Sequence, residues 1–264
     1  MLSIFLLTAA LGAVVGLLAG LLGIGGGLII VPVLVVLLPF FDVIPPEHAM
    51  VVAIATSLAS IIITSVSSVR AHHKRNNVSW NIALPVMLGA GLGALLVGYL
   101  AHNLSGNTLQ LIFGVAVGIL ALRMLISRST TGKAALPGLI PLGSLAALLR
   151  SFAALLGIGG GALIVPMLNY FSVDMRRAIG CAAASGIAIA VFGTVGYVTA
   201  GWQHYQLNAG FIGYIYLPAL LGVISTSIFT TSIGASLTQK LPVMTIKRVF
   251  GIFLLVVSAR MVLA

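Results

Sequence analysis

Long apolar runs separated by short polar turns are the main pattern along the chain. Eight of these runs reach the roughly 20 residues that a helix needs to cross about 30 Å of hydrocarbon. They cover residues 2–22, 49–69, 80–101, 108–126, 135–156, 178–200, 208–235 and 246–263. Two shorter runs, 28–41 and 162–173, each follow a run of glycines. Strands of a membrane barrel alternate apolar and polar positions, whereas these runs are apolar on every face, so the pattern predicts membrane-spanning helices.

The composition points to the same class of protein. Of the 264 residues, 60% are hydrophobic and 6% are charged, and the mean hydropathy is +1.23. One water-soluble core cannot hold so many apolar side chains. We therefore expect an all-α, polytopic protein of the inner (cell) membrane, with the lipid bilayer around it. A single cysteine, Cys181, excludes an internal disulfide and a cysteine-built metal site, and we expect neither a metal nor a cofactor.

The net charge of +10 comes from basic residues that stand in short clusters beside the apolar runs. This placement is typical of cytoplasmic loops, which carry an excess of Lys and Arg. A nucleic-acid-binding domain would instead need a basic soluble region, which the pattern does not contain. Nucleic acid is therefore not an expected partner.

The chain also contains a duplication. The stretch "LLGIGGGLIIVPVL" at 21–34 agrees with "LLGIGGGALIVPML" at 155–168 at 11 of 14 positions. Weaker matches join residues 48–57 to 177–186 and residues 113–124 to 250–261. The sequence thus predicts two homologous repeats, residues 1–130 and 131–264.

The basic clusters indicate how the repeats are oriented. They place residues 128–133 and 174–177 on the cytoplasmic face, so the 40 residues between them must leave that face and return to it. Forty helical residues measure about 60 Å, close to two crossings. We therefore expect each glycine run to form a broken helix or a re-entrant hairpin, and the repeats to be inverted, with five helical segments each. Eight spans in parallel repeats remain the alternative.

The two glycine runs provide the candidate site. A break in a helix leaves backbone amides unpaired, and the helix that follows begins with the positive end of its dipole, which attracts anions. Inverted repeats with broken helices are typical of secondary transporters. The candidate anion-binding residues on the breaks are Gly23, Gly25, Gly26, Gly27, Leu28, Gly157, Gly159, Gly160, Gly161 and Ala162. The alternative is that these glycines only allow close helix packing, the role that we expect for Gly12, Gly16 and Gly20.

The paired "GIGGG…VP" motif resembles the TauE/SafE family of sulfite and organosulfur-anion exporters, also called the 4-toluene sulfonate uptake permease family. The resemblance covers essentially the whole chain. It implies an integral membrane transporter of small anions such as sulfite, sulfoacetate or other sulfonates, working by alternating access linked to the proton gradient. One departure is Ala154, which stands where the first copy of the motif has Gly20.

A few polar side chains inside the apolar runs are further candidates for binding the anion. The hydroxyls of Thr56, Ser57 and Ser185 suit sulfonate oxygens, although each could instead bond to its own helix. Arg150 places a cation in an apolar run, where its guanidinium suits an oxyanion. The alternative for Arg150 is that its side chain snorkels to the outer interface.

The coupling ion is less well indicated by the sequence. The only carboxylates, Asp42, Glu47 and Asp174, lie at the ends of the runs, so no carboxylate relay for protons is visible. Protons remain a candidate partner, carried by His48 or by a weak-acid cargo. The adjacent His72 and His73 would point apart on a helix, which disfavours a metal site. The sequence leaves a homodimer open.

Two other functions compete with a transporter. A passive anion channel would use the same helix-dipole chemistry. A membrane-embedded enzyme would need a nucleophile and a base within the bilayer, and the runs contain neither a Gly-x-Ser-Gly sequence nor a paired aspartate or histidine. We therefore expect that the protein is not an enzyme.

We expect a tag placed before Met1 and a tag placed after Ala264 to lie outside the cytoplasm. An odd number of predicted segments separates each terminus from the nearest basic cluster, and these clusters belong in the cytoplasm. Antibody access to each tag in intact and in permeabilised cells measures this. A tag that is reached only after permeabilisation contradicts the inverted topology.

Overall fold

The computed structural model describes residues 2–100, 104–126, 134–159, 161–203, 210–237 and 243–263. Ten helices and one two-stranded sheet lie in these ranges. The helices of the first half are α1 (Leu2–Leu22), α2 (Gly27–Phe40), α3 (Pro46–His73), α4 (Trp80–Leu100) and α5 (Gly106–Ile126). Those of the second half are α6 (Leu139–Leu155), α7 (Gly161–Tyr170), α8 (Met175–Gly201), α9 (Leu217–Leu237) and α10 (Val243–Leu263).

The length and apolar composition of the helices confirm the predicted fold class. Six of the described helices, α1, α3, α4, α5, α8 and α9, are long and apolar enough to cross a bilayer. Helices α2, α6 and α7 are apolar but shorter, with 10–17 residues. The protein is therefore an all-α, polytopic membrane protein.

The two halves contain their helices in the same order. Each has two apolar helices separated by a glycine run, then a long helix of 28 or 27 residues, then two helices of 21 residues. This order agrees with the division into residues 1–130 and 131–264, and the repeat itself stays a prediction.

One predicted helix begins later than expected. We predicted a helix over 208–235, but residues 211–216 form an antiparallel hairpin of β1 (Phe211–Ile212) and β2 (Ile215–Tyr216), and α9 begins only after it. Gly210 and Gly213 have φ angles of +81° and +55°, which a helix cannot accommodate. Aromatic and β-branched residues, which favour strands, fill the positions between them.

Both glycine runs break the helices in which they lie. In the first half, α1 ends at Leu22 and α2 begins at Gly27, with Gly26 at a left-handed φ of 87° just before it. In the second half, α6 ends at Leu155 and α7 begins at Gly161. The expectation of a broken helix in each half is therefore confirmed.

Most of the packing between helices joins one half to the other. Helix α1 packs on α9 and α4 packs on α6, while α3 packs on α8 and α5 packs on α10. Glycines bring α1 against the backbone of α9: Gly12, Gly16 and Gly20 lie against Val223, Ser227 and Thr231. The packing role that we expected for these three glycines is confirmed.

Helices in matching places of the two halves run in opposite directions. Leu58 of α3 contacts Gly193 of α8, and Ser65, further along α3, contacts Gly186, which comes earlier in α8. Helices α5 and α10 are antiparallel in the same way, because Gly118 lies against Ser258 while Gly251 lies against Ala121. Opposite directions at matching places are what inverted repeats produce, so these contacts support that prediction.

Contacts between turns identify the cytoplasmic end of the helix bundle. Asn77, after α3, lies against Gly180 near the start of α8, and Ser172, before α8, donates a 3.0 Å hydrogen bond to the carbonyl of Ala134, before α6. These turns therefore share one end of the molecule. That end carries the basic residues Arg70, Lys74, Arg75, Arg176 and Arg177. By the positive-inside rule we expect this end to face the cytoplasm, and we call it the cytoplasmic end.

The first and last helices both have their free ends on the opposite, outer side. The end of α1 reaches the cytoplasmic side, where the ring Nε2 of His72 lies 3.1 Å from the carbonyl oxygen of Gly20. The starts of α3 and α5 share the outer end, because Gly106 lies against the backbone of Glu47. Since α10 is antiparallel to α5, it ends at the outer side. These directions support the predicted placement of both termini.

The two glycine breaks meet at the centre of the molecule, and we call this contact the glycine crossing (residues 23–27 with 157–161). Gly160 lies outside the described residues. The backbone of Gly25 packs on that of Gly159. A Cβ atom added to Gly27 would lie 2.1 Å from the Gly157 oxygen, and one added to Gly161 would lie 1.9 Å from the Gly23 oxygen. Close backbone packing is therefore one function of these glycines.

Replacing Gly27 or Gly161 with Ala should destabilise the protein by more than the about 1–3 kcal/mol that is typical of overpacking, because each methyl group would overlap a backbone carbonyl. Gly143→Ala is the matched control, since its Cβ would lie 3.4 Å from the Pro85 oxygen, an ordinary contact. The melting temperature of each variant in detergent measures the effect. Melting at the wild-type temperature in both crossing variants would contradict the packing described above.

Candidate anion-binding site

Arg150 of α6 is the only charged residue of its helix and points into the glycine crossing. Its side chain is 0% exposed. One terminal nitrogen donates to the carbonyl of Gly159, and the other donates to the carbonyl of Ala182 at 3.1 Å and to the hydroxyl of Ser185. The alternative that Arg150 snorkels to the outer interface is therefore wrong, because the guanidinium is buried and donates to the carbonyl of Gly159 in the break between α6 and α7 and to a carbonyl of α8.

The charge of Arg150 has no carboxylate partner. Asp42, Glu47 and Asp174 are the only acidic residues of the chain, and all three are exposed near helix ends. The acceptors around Arg150 are neutral, and its Nε has no hydrogen-bond partner among the described residues. An isolated buried ion carries a penalty of several kcal/mol. An anion bound beside Arg150 would remove most of this penalty.

The matching position in the first half is occupied differently. The duplicated motif pairs Arg150 with Gly16, and Gly16 lies against the backbone of α9. The first half therefore uses this position for packing, and the second half uses it for a cation. The positive charge at the crossing comes from one half only.

Hydroxyl groups of α3 hold both breaks. Ser57 donates a 2.9 Å hydrogen bond to the carbonyl of Gly157, and Thr64 donates one of 3.3 Å to the carbonyl of Gly25. Both side chains are buried. The predicted candidate Ser57 thus lies at the crossing, where it joins the two halves.

The other two hydroxyl candidates have different partners. The Thr56 oxygen accepts a 3.0 Å hydrogen bond from the backbone amide of Tyr216 and so holds the β-hairpin. Ser185 accepts from Arg150 and donates to its own helix, at the carbonyls of Cys181 or Ala182. As a donor, the Ser185 hydroxyl therefore bonds to its own helix, which is the alternative that the sequence left open.

Residues of α3 and α8 that occupy equivalent places in the structure are one helical turn away from the pairs that the sequence match gave. Gly157 lies against Ile54 and Gly23 lies against Ile179, which makes these two isoleucines counterparts. The counterpart of Ser185 is then Ser60, whose hydroxyl donates to the carbonyl of Ser57 at 2.7 Å. The sequence analysis missed two buried hydroxyls of α3: Thr64, which contacts the crossing, and Ser60, one helical turn before it. Their spacing of four along α3 was the available signal.

The first turns of α2 and α7 also lie at the crossing. Gly26 precedes α2 without a side-chain cap, and Leu28 is 0% exposed. Gly161 begins α7 next to Gly23, and Ala162 is half-buried. A helix start presents amide hydrogens and the positive end of its dipole. With Arg150, the described residues of the crossing supply cationic and neutral donors and no carboxylate, which suits a small anion.

Comparison with known proteins agrees with this chemistry. The family model described as "Sulfite exporter TauE/SafE" matches residues 8–261. A "Probable membrane transporter protein" of Haemophilus influenzae is 40% identical over 270 residues, which cover 100% of both chains. Another protein of that name, from Xylella fastidiosa (strain Temecula1), is 31% identical over 195 residues, covering 72% of this chain and 71% of its own length. No solved structure matches the chain. The resemblance noted in the sequence is confirmed, and the chain is a multi-pass membrane transporter that belongs to the TauE/SafE sulfite exporter family.

Proposed function

We propose that this protein transports sulfite or small organosulfonates, which bind at the glycine crossing with Arg150 as the cationic partner. The observation that carries the proposal is the burial of Arg150 at 0% exposure in a chain whose three carboxylates all lie elsewhere. A binding site of this kind favours anions over neutral solutes and cations, because only an anion balances the buried charge.

The hydrogen-bond donors at the crossing fit an anion with several oxygens. The Nε of Arg150 has no hydrogen-bond partner among the described residues, and the starts of α2 and α7 present backbone amides. The hydroxyls of Ser57 and Ser185 donate to carbonyls in this structure, and each would turn from its carbonyl to an anion. A sulfite or sulfonate group presents three oxygens, so it can accept from several of these donors at once. The description of the matching family names sulfite, which supports this choice of anion.

The crossing is closed in this structure. All described residues of the two breaks are buried, from Gly23 to Gly27 and at Gly157, Gly159 and Gly161. A carrier passes through a state in which its site is shut to both faces, and the buried crossing fits such a state. The two broken units, α1 with α2 and α6 with α7, meet at this point, so a movement of one unit against the other would open the site to one side. We propose alternating access of this kind, coupled to the proton gradient.

Replacing Arg150 with Met should abolish the stabilisation of the protein by sulfur oxyanions. Loss of a charge-assisted hydrogen bond of about 1.5–3 kcal/mol lowers affinity at least about tenfold. The melting temperature of the purified protein, titrated with sulfite, thiosulfate, sulfoacetate and carboxylate controls, measures this. Arg123→Met is the matched control, because Arg123 is exposed in the last turn of α5. Wild-type stabilisation in Arg150→Met would contradict the site, and no stabilisation of the wild type would contradict the choice of anion.

Proteoliposomes containing the purified protein distinguish a carrier from a channel. We expect uptake of labelled sulfite to saturate and to be accelerated by unlabelled sulfite inside the vesicles, because a carrier returns faster when loaded. Uptake that rises without saturation and does not respond to internal sulfite would favour the passive channel instead.

A further inference from the structure

Four polar residues form a line along one face of α3. Ser60, Thr64, Ser68 and His72 are spaced four apart, so they lie one above the other on the helix. Their exposures are 0%, 0%, 2% and 0%, and most of the other buried residues of α3 are apolar. We call this line the α3 stripe. From Ser60 to His72 it extends about 18 Å along the helix axis.

The α3 stripe leads from the glycine crossing to the cytoplasmic end. Thr64 donates to the carbonyl of Gly25 in the first break. His72, in the last turn of α3, contacts the carbonyl of Gly20 beside the basic turn. An ionisable residue within a membrane-spanning helix is rare and often marks a route for ions or protons, and His72 is the ionisable residue of the α3 stripe.

Two atoms of the α3 stripe have no hydrogen-bond partner among the described residues, the hydroxyl of Ser68 and Nδ1 of His72. The tautomer of His72 follows from its one contact. A carbonyl oxygen only accepts, so the proton lies on Nε2, which donates to Gly20. Nδ1 is then a bare acceptor, and leaving it buried without a donor costs about 1–3 kcal/mol. This nitrogen is free to bind a proton.

The charges around His72 oppose that proton unless an anion is present. Among the described residues, the titratable or charged side chains at this end are Arg70, His73, Lys74 and Arg75 after or beside it, Arg123 on α5, Asp174, Arg176, Arg177 and Cys181 at the start of α8, and Arg248 at the start of α10. The described residues of α1 and α9, which also pack on α3, contain no titratable side chain. A protonated ring would therefore stand mainly among cations. An anion on the α3 stripe would offset this repulsion.

We propose that Nδ1 of His72 is the proton-binding site of this transporter, and that the proton and the anion travel together along the α3 stripe. The proposal rests on the anion transport proposed above. A proton from water binds the lone pair of Nδ1 and gives an imidazolium of charge +1 beside the anion, and it later leaves by the same lone pair to water. Because binding free energies are linked, the anion strengthens proton binding by the same factor by which the proton strengthens anion binding.

The affinity of the purified protein for sulfite, measured between pH 5.5 and pH 8.5, tests this. His72→Gln keeps a side-chain amide that can donate to Gly20 but cannot be protonated. The matched control is His73→Gln, because His73 is adjacent and exposed. Sulfite itself changes its protonation in this pH range, but this change is the same for every variant. The difference between the pH profiles of His72→Gln and His73→Gln therefore reports on His72. We expect the affinity of His73→Gln for sulfite to rise toward low pH as much as that of the wild type. The affinity of His72→Gln should rise at least about fivefold less.

Each outcome has a distinct meaning. Profiles of His72→Gln and His73→Gln that superimpose would overturn the role of His72 while leaving anion transport intact. If the wild type binds no sulfite at any pH, the proposed function fails first. Should His72→Gln not fold, the wild type alone provides the test: we expect the protein to take up protons when it binds sulfite in weakly buffered solution, after correction for the titration of sulfite itself. Sulfite binding without proton uptake would overturn the proposal.

Discussion

Two stretches of bare backbone meet at the centre of this protein, and the positions of the surrounding helices depend on that contact. Gly25 packs on Gly159, and the neighbouring glycines leave no room for a methyl group. Because the contact is made by backbone, it places carbonyl and amide groups in the interior of a membrane protein, where water does not satisfy them. Side chains from the neighbouring helices do so instead: Ser57, Thr64 and Arg150 donate to carbonyls of the two breaks.

The use of an arginine for this purpose has an electrostatic consequence. A neutral donor would have satisfied the carbonyl of Gly159 without adding charge. Arg150 satisfies it and also leaves a full positive charge in a region that contains no carboxylate. A buried charge without a counter-ion is costly, and a bound anion would reduce this cost. Arg150 thus supports the break, and the anion binding that we propose would be a second effect of the same side chain.

The two halves share a backbone plan but differ in polarity. When Ile54 and Ile179 are taken as counterparts, the α3 stripe of Ser60, Thr64, Ser68 and His72 matches Ser185, Ile189, Gly193 and Tyr197 of α8. The buried face of α3 between Ser60 and His72 therefore carries hydroxyls and an imidazole, and the matching face of α8 is mostly apolar. Tyr197 is the exception, since it is fully buried and its hydroxyl has no partner among the described residues. A polar group without a partner thus lies at the matching position in each half.

The sequence by itself determined the class of the protein and the two breaks, because hydrophobic runs, glycine runs and a duplicated motif are local signals. It left eight spans or ten helical segments open. It also identified Arg150 and Ser57 as candidates. Only the tertiary structure decided that Arg150 turns inward, that the breaks pack on each other, and that Ser60 is the counterpart of Ser185. These facts depend on which helices become neighbours across the two halves, and an apolar run carries no information about its partner. The hairpin before α9 was missed for a related reason: its residues are as apolar as a helix, and the φ angles of Gly210 and Gly213, which exclude a helix there, belong to the folded chain.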